Sequence, residues 1–190
     1  MVTSLDVYLM HLPPPAITQA ASQLLPARPD GTTWPMPPER MHMTVQKLGR
    51  YPPASGVPPW LLRLTDKLDA ESFGLPFDVW LDVLQSRDPR ASASTVELTG
   101  LGTGVREVRR MCRQLADAMQ RIGFPLSLIR REMTPHITLD YRHAPVPRRR
   151  IPPLAWRFEE ICLVVSHNGA GRHELLARWP LVSAQPSLFA

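Results

Sequence analysis

The chain has 190 residues, 22 of them proline, with 22 Lys or Arg against 17 Asp or Glu for a formal net charge of +5. A hydrophobic fraction of 44% excludes a disordered chain, and the proline load excludes a long coiled coil or a solenoid of helices. The length suits one domain, or two small lobes sharing a core, and residues 1–190 are read as one bilobal unit with a short tail over 182–190.

In chain order, Leu5 to Leu9 is apolar apart from Asp6 and predicts a strand. Pro13-Pro14-Pro15 opens a helix carrying Ile17, Ala20, Ala21, Leu24 and Leu25 at helical spacing. After a loop over Pro26 to Pro38, Met41 to Leu48 alternates like a strand and is expected to stop at Gly49. Pro52 to Pro59 reads as a loop, and Trp60 to Leu68 as a helix. Pro76 to Leu84 and Ser94 to Leu98 are two more strands. Gly102 to Ile122 is the clearest helix: Val105, Val108, Cys112, Leu115, Met119 and Ile122 form one stripe, and Gly123 sits where a terminating glycine belongs. Arg106, Arg109, Arg110 and Arg113 fall on its opposite face, read as solvated, and Gly100, Gly102 and Gly104 read as a turn. Pro135 to Tyr141 is a strand, Pro145 to Pro153 a basic loop, and Phe158 to Ser166 and Glu174 to Trp179 the last two strands. The order β-α-β-α-β-β-α-β-β-β predicts an α+β fold.

Two segments look alike: Arg40-Met41-His42-Met43-Thr44-Val45 and Thr134-Pro135-His136-Ile137-Thr138-Leu139, about half a chain apart. On a strand, residues i and i+2 share a face, so each His is shown beside its Thr while Met43, Val45, Ile137 and Leu139 enter the core. One His-x-Thr carries little information; two, each on a predicted strand and followed by an aliphatic residue, carry much more. Two imidazoles across a pocket supply a general base and a general acid near neutral pH. Two hydroxyls between them can hold non-bridging phosphoryl oxygens as charge shifts in the transition state. A cyclic phosphodiester suits this set, since opening its ring needs one deprotonation and one protonation on opposite sides of phosphorus. The two halves look too symmetric for the residues alone to assign base and acid.

These paired motifs resemble the 2H phosphoesterases, and their surroundings resemble the bacterial RNA 2′,3′-cyclic phosphodiesterase or 2′-5′ RNA ligase branch. The resemblance rests on Pro37-Pro38-Glu39-Arg40-Met41-His42-Met43-Thr44 ending in Leu48-Gly49, and on Thr134 to Leu139. Looser matches are the first strand into Leu12-Pro13-Pro14 and the run from Leu163-Val164-Val165-Ser166 to Trp179-Pro180-Leu181. It implies a bilobal, pseudo-two-fold α+β fold, with two small antiparallel sheets flanking a central cleft and helices outside. It implies hydrolysis of cyclic phosphate ends to 2′-phosphates without metal or other cofactor, and in some members reversible 2′-5′ joining of RNA ends. His42 and His136 carry over as catalytic residues, Thr44 and Thr138 as phosphate-holding ones. The resemblance makes His42 the acid for the leaving 3′-oxygen and His136 the base for water. Two departures bear on substrate choice. Lys47 stands where many members have an aromatic residue, and Asp140-Tyr141-Arg142 offsets an arginine that usually follows sooner.

Arg40, Arg130, Arg131 and Arg142 flank the motifs and are candidates for RNA phosphates, while Trp34 and Tyr141 could stack a base. His11, His143, His167 and His173 match no metal-ligand spacing and read as surface or loop histidines. Cys112 and Cys162 read as buried thiols. The expected partner is RNA with a 2′,3′-cyclic phosphate end or a small cyclic nucleotide. Alternatives are a 2′-5′ RNA ligase, a phosphodiesterase for an ADP-ribose-type cyclic phosphate, and a non-catalytic nucleotide- or RNA-binding module. Gln185-Pro186-Ser187-Leu188-Phe189 is similar to the short peptide that docks bacterial proteins on the DNA sliding clamp, a match that five residues make cheaply. Met1 to Met10 has no basic start before an apolar run, and Ile161 to Val165 is too short to cross a bilayer, so a cytoplasmic monomer without a membrane partner is expected.

Overall fold

The computed structural model describes residues 1–25, 35–70 and 73–181. They form β1 (Ser4–His11), α1 (Pro15–Ser22), β2 (Met43–Tyr51), α2 (Pro59–Asp66), β3 (Phe77–Ser86), β4 (Ser94–Thr99), α3 (Thr103–Arg121), β5 (His136–His143), β6 (Arg149–Phe158), β7 (Glu160–Asn168) and β8 (Arg172–Pro180). The strands make two antiparallel four-stranded sheets, ordered β2-β1-β7-β8 and β5-β4-β3-β6. The α+β class expected from the sequence is the class observed. Trp34 and Gln185 to Phe189 lie outside the described residues.

The two halves repeat one plan. In β1-α1-β2 and again in β4-α3-β5, the chain leaves a strand, makes a helix and returns antiparallel beside that strand. The returning strand is in both cases the edge of its sheet, and the two edges, β2 and β5, touch. The motif strands are thus the strands along which the halves meet.

Period-2 burial decides the faces. Leu5, Val7 and Leu9 of β1 and Ile161, Leu163 and Val165 of β7 join the main core, while Met10, Cys162 and Val164 form a small cluster on the other face with Tyr8 packed against it. α3 covers β3 with Val105, Val108, Cys112, Leu115 and Met119, all buried. Complete burial of each larger aliphatic contributes about 1.5–3 kcal/mol. Burial pushes the Cys112 thiol up to about 12, so it is a packing residue.

Several boundaries depart from the sequence reading. β2 does not stop at Gly49 but continues to Tyr51. Val7 pairs Gly49 and Tyr8 pairs Lys47, so Leu48 is an extra residue in a bulge, and Gly49 takes a φ of 132° there. Pro145 to Pro153 is not simply a basic loop, because β6 begins at Arg149. Its prolines are tolerated since β6 is an edge strand, and Pro152 and Pro153 sit where the register with β3 slips. The helix begun at the triple proline is short, ending at Ser22. Gly104 is more than a turn residue: a Cβ there would lie 2.3 Å from the Asp78 carbonyl oxygen, so α3 rests directly on the β3 backbone.

The four histidines read as surface or loop residues all lie in strands, and His11, His143 and His167 are buried. Their strands alternate too weakly in polarity for sequence to show it. His11 joins the halves. Its Nδ1–H donates to the Glu160 carbonyl at 3.0 Å, and its Nε2 accepts from Trp156 Nε1 at 2.9 Å. The ring stacks on Phe158, centroids 4.0 Å apart, and Phe158 on Phe77. Burial lowers its proton affinity, which keeps Nε2 free to accept.

Candidate active site

His42 immediately precedes β2 and His136 opens β5. Around each, side chains alternate between half-buried and buried: His42, Thr44 and His136, Thr138 are half-buried, while Met43, Val45, Ile137 and Leu139 are buried. The two imidazoles are fixed in the same way. His42 Nδ1–H donates to the Arg40 carbonyl at 2.8 Å, and His136 Nδ1–H donates to the Thr134 carbonyl at 2.7 Å. A carbonyl can only accept, so Nδ1 carries the proton in both rings and Nε2 is the reactive nitrogen.

Arg87 confirms that tautomer for His136, because a guanidinium can only donate and its Nη2 lies 2.9 Å from His136 Nε2. The same nitrogen donates to Glu97 at 2.9 Å, and the Glu97 carboxylate also takes a hydrogen bond from Gln85. Sequence reasoning missed Arg87. It sits in an unremarkable turn after β3, and only the pairing of β4 with both β3 and β5 carries it to His136. Among the described residues, neither Thr44 nor Thr138 spends its hydroxyl on a hydrogen bond.

Thr44, Lys47, Arg87, Glu97, Arg130 and His136 line one cavity of about 470 Å³. Gln46 braces its wall: its side chain accepts from the Arg130 N–H at 3.0 Å and donates to the Arg130 carbonyl at 2.5 Å, tying β2 to the segment before β5. A larger cavity of about 770 Å³, by His11 and the proline-rich turn, reaches Met41 but is not lined by His42, Thr44, His136 or Thr138.

His42 faces a second group of residues. Its ring lies edge-on to His173 at 5.2 Å between centroids, and 6.1 Å from Tyr8. Burial, then the charges of His136 and Arg40, lower its proton affinity despite the favourable bond to the Arg40 carbonyl. His173 is lowered to about 4 by burial and by the charges of His42 and Arg40. Among the described residues, His173 Nδ1 and Arg40 Nε have no hydrogen-bond partner although both are buried. Only the β7–β8 pairing brings His173 here, and its sequence neighbourhood gives no signal of it.

Beneath these lies Asp6, which accepts from Tyr8 and Arg50 and pairs with Lys47 at 3.6 Å. Burial alone would raise its carboxyl, but the Arg50 and Asn168 hydrogen bonds and the Lys47 charge hold it at about 2. The Lys47 ammonium sits 5.5 Å from the Tyr8 ring centre. In β5, Thr138 pairs Glu97 and Asp140 pairs Val96, so Leu139 is an extra residue that reverses the alternation. Tyr141 thereby follows Thr138 on the site side, where it feels the charges of Arg40 and Arg87. Arg142 falls one residue later and is exposed. Arg131 turns away, pairing with Asp117 at 2.5 Å and Gln120 at 2.8 Å.

No protein-family model matches the sequence, and no curated protein does. Solved structures do. A protein described as a phosphoesterase superposes with a TM-score of 0.67 at 22% identity, covering 94% of this chain and 98% of its own. E. coli LigT in its apo form superposes at 0.66 and 20% identity, over 95% and 99%. The chain has the LigT fold. TT0787 of Thermus thermophilus superposes at 0.64 with 25% identity, over 93% and 97%. LigT itself has been solved with 3′-AMP, ATP and phosphate. The fold implied by the two motifs is therefore the fold found. No described helix is long and apolar enough to cross a membrane.

Proposed function

We propose that the chain is a 2H-type phosphoesterase that hydrolyses 2′,3′-cyclic phosphodiesters, on RNA ends or small nucleotides, to 2′-phosphates without a metal. The observation that carries this reading is the duplicated set: two His-x-Thr units on touching edge strands, each imidazole pinned at Nδ1 by the carbonyl two residues earlier. That pinning costs no reorganisation during reaction and aims two Nε2 atoms at one substrate.

In the proposed reaction His136 Nε2 takes a proton from water as the water oxygen bonds to phosphorus. The bond from phosphorus to the 3′-oxygen breaks, and His42 Nε2–H supplies that oxygen's proton. The product is a 2′-phosphate with a free 3′-hydroxyl, and proton exchange restores both rings. The environment that lowers the proton affinity of His42 makes its protonated form a strong acid, and the anionic substrate promotes that protonation. Thr44 and Thr138 donate to the non-bridging oxygens, and Arg87 swings one N–H from His136 to the phosphoryl group. Arg40, Arg130 and Tyr141 line the rest of the site. Ligation is the same ring opening with a 5′-hydroxyl in place of water: His136 takes its proton as its oxygen bonds to phosphorus, the bond to the 3′-oxygen breaks with a proton from His42, and a 2′-5′ phosphodiester results.

The test is turnover of a 2′,3′-cyclic nucleotide in EDTA, with the product read by phosphorus NMR. The wild type should give the 2′-phosphate, and His42→Ala and His136→Ala should each lose roughly 10²–10⁴-fold in rate. Near-normal rates in both variants, or loss of wild-type activity on chelation, would refute the proposal.

A further inference from the structure

The reaction cavity has a neighbour. A second cavity of about 570 Å³ is lined by Arg109, Arg113, Glu132, Met133 and Thr134. Glu132, Met133 and Thr134 also line the reaction cavity, so one short stretch of chain is the wall between the two. The carbonyl of Thr134 is the acceptor that pins His136, which puts the wall directly beside the reacting imidazole.

Arg109 and Arg113 lie four residues apart on α3 and so project side by side. Two other arginines near this helix are spent: Arg110 pairs with Glu107, and Arg131 with Asp117 and Gln120. Arg109 and Arg113 form no ion pair or hydrogen bond with any described residue. Two neighbouring, uncommitted guanidiniums in a concavity suit an anion that presents oxygens in a plane. Among the described residues, Glu132 is the one carboxylate lining that concavity and opposes an anion there, so the arginines outnumber it.

We propose that Arg109 and Arg113 form a second phosphate subsite. It takes the phosphodiester on the 5′ side of the reacting nucleotide as an RNA strand leaves the cavity over Met133 and Thr134. The inference rests on the phosphodiesterase reading and deepens it: the substrate is an RNA strand rather than a free nucleotide. Those same arginines read as a solvated helix face from sequence alone.

The experiment compares kcat/KM for a trinucleotide ending in a 2′,3′-cyclic phosphate with that for a cyclic mononucleotide, in the wild type and in Arg109→Ala/Arg113→Ala. The ratio of trinucleotide to mononucleotide should fall about tenfold, the size of one lost charge-assisted contact. The slope of log KM against log salt for the trinucleotide should fall by about 0.7 per phosphate contact removed. Glu132→Gln should move the ratio the opposite way. An unchanged ratio overturns the subsite, and so does an equal loss on both substrates. A fall for an ADP-ribose-type cyclic phosphate but not for the trinucleotide overturns the assignment to RNA. If the wild type turns over no cyclic phosphate, that failure belongs to the enzymatic reading. The subsite is then decided by fluorescence anisotropy with a labelled trinucleotide 2′-phosphate: weaker, less salt-sensitive binding by the double variant supports it, and identical binding overturns it.

Discussion

His11→Phe isolates the hydrogen bonds that clasp the two halves. Phenylalanine keeps an aromatic ring against Phe158, 4.0 Å away in the wild type, but offers nothing to Trp156 Nε1–H or to the Glu160 carbonyl. Trp156 is only 6% exposed, so water cannot replace the lost acceptor. A buried group left unpaired costs about 1–3 kcal/mol, so the two together should cost about 2–6 kcal/mol near pH 8. The cost should shrink in acid. Burial lowers the proton affinity of native His11, whereas the unfolded histidine titrates near about 6.5. Below that pH the unfolded wild type binds a proton that the native state refuses, and wild-type stability falls by up to about 1.4 kcal/mol per pH unit. The phenylalanine variant has no such term, while the lowered histidines His42 and His173 act equally in both proteins and cancel. Urea unfolding at pH 8 and pH 5 measures the difference, and equal slopes in the two proteins license the subtraction. At pH 5 the gap should be smaller by up to about 2 kcal/mol. A gap below about 0.5 kcal/mol at pH 8, or one independent of pH, would refute the strut.

Other outcomes bear on the site. If His42 is the acid, kcat/KM falls as pH rises through its lowered proton affinity, so the alkaline limb lies below the ordinary value of about 6.5. Arg40→Met removes one of the charges that lower it and should move that limb upward; a limb that stays put contradicts the assignment. Thr44→Val and Thr138→Val should each reduce kcat more than they raise KM, by roughly 10–100-fold, in steady-state assays; a pure KM effect would make the hydroxyls mere binding groups. Arg87→Leu strips the cation from Glu97, which keeps its Gln85 partner. Because the Arg87 side chain is 55% exposed, solvent screening should hold the stability loss to about 1 kcal/mol by urea melts, while activity falls at least about tenfold. Arg87→Lys should restore stability better than rate, since lysine supplies charge without the planar fork.

The α+β class and the two His-x-Thr strands were legible in the chain because they rest on local pattern. Period-2 burial puts His42 beside Thr44 and His136 beside Thr138 whatever the partners of those strands. The apolar stripe of α3 is equally local, and so is the glycine that ends it. What sequence pattern obscured were features that depend on neighbours. β6 hid behind three arginines and two prolines, since a strand that must hydrogen-bond on only one side can carry residues a central strand cannot. Gly49 looked like a stop because a bulge and a turn need the same permissive residue.

The sequence by itself determined which side chains do the proposed chemistry, since spacing along a strand fixes which of them share a face. Only the tertiary structure decided what surrounds them. Strand pairing brings Arg87 and Glu97 to His136, and His173 and Tyr8 to His42, from positions remote in the chain. A bulge of a single residue puts Tyr141 on the site side. The lowered proton affinity of His42 follows from burial and from the charges of His136 and Arg40, because desolvation and cross-chain charges are properties of packing that a linear pattern does not carry.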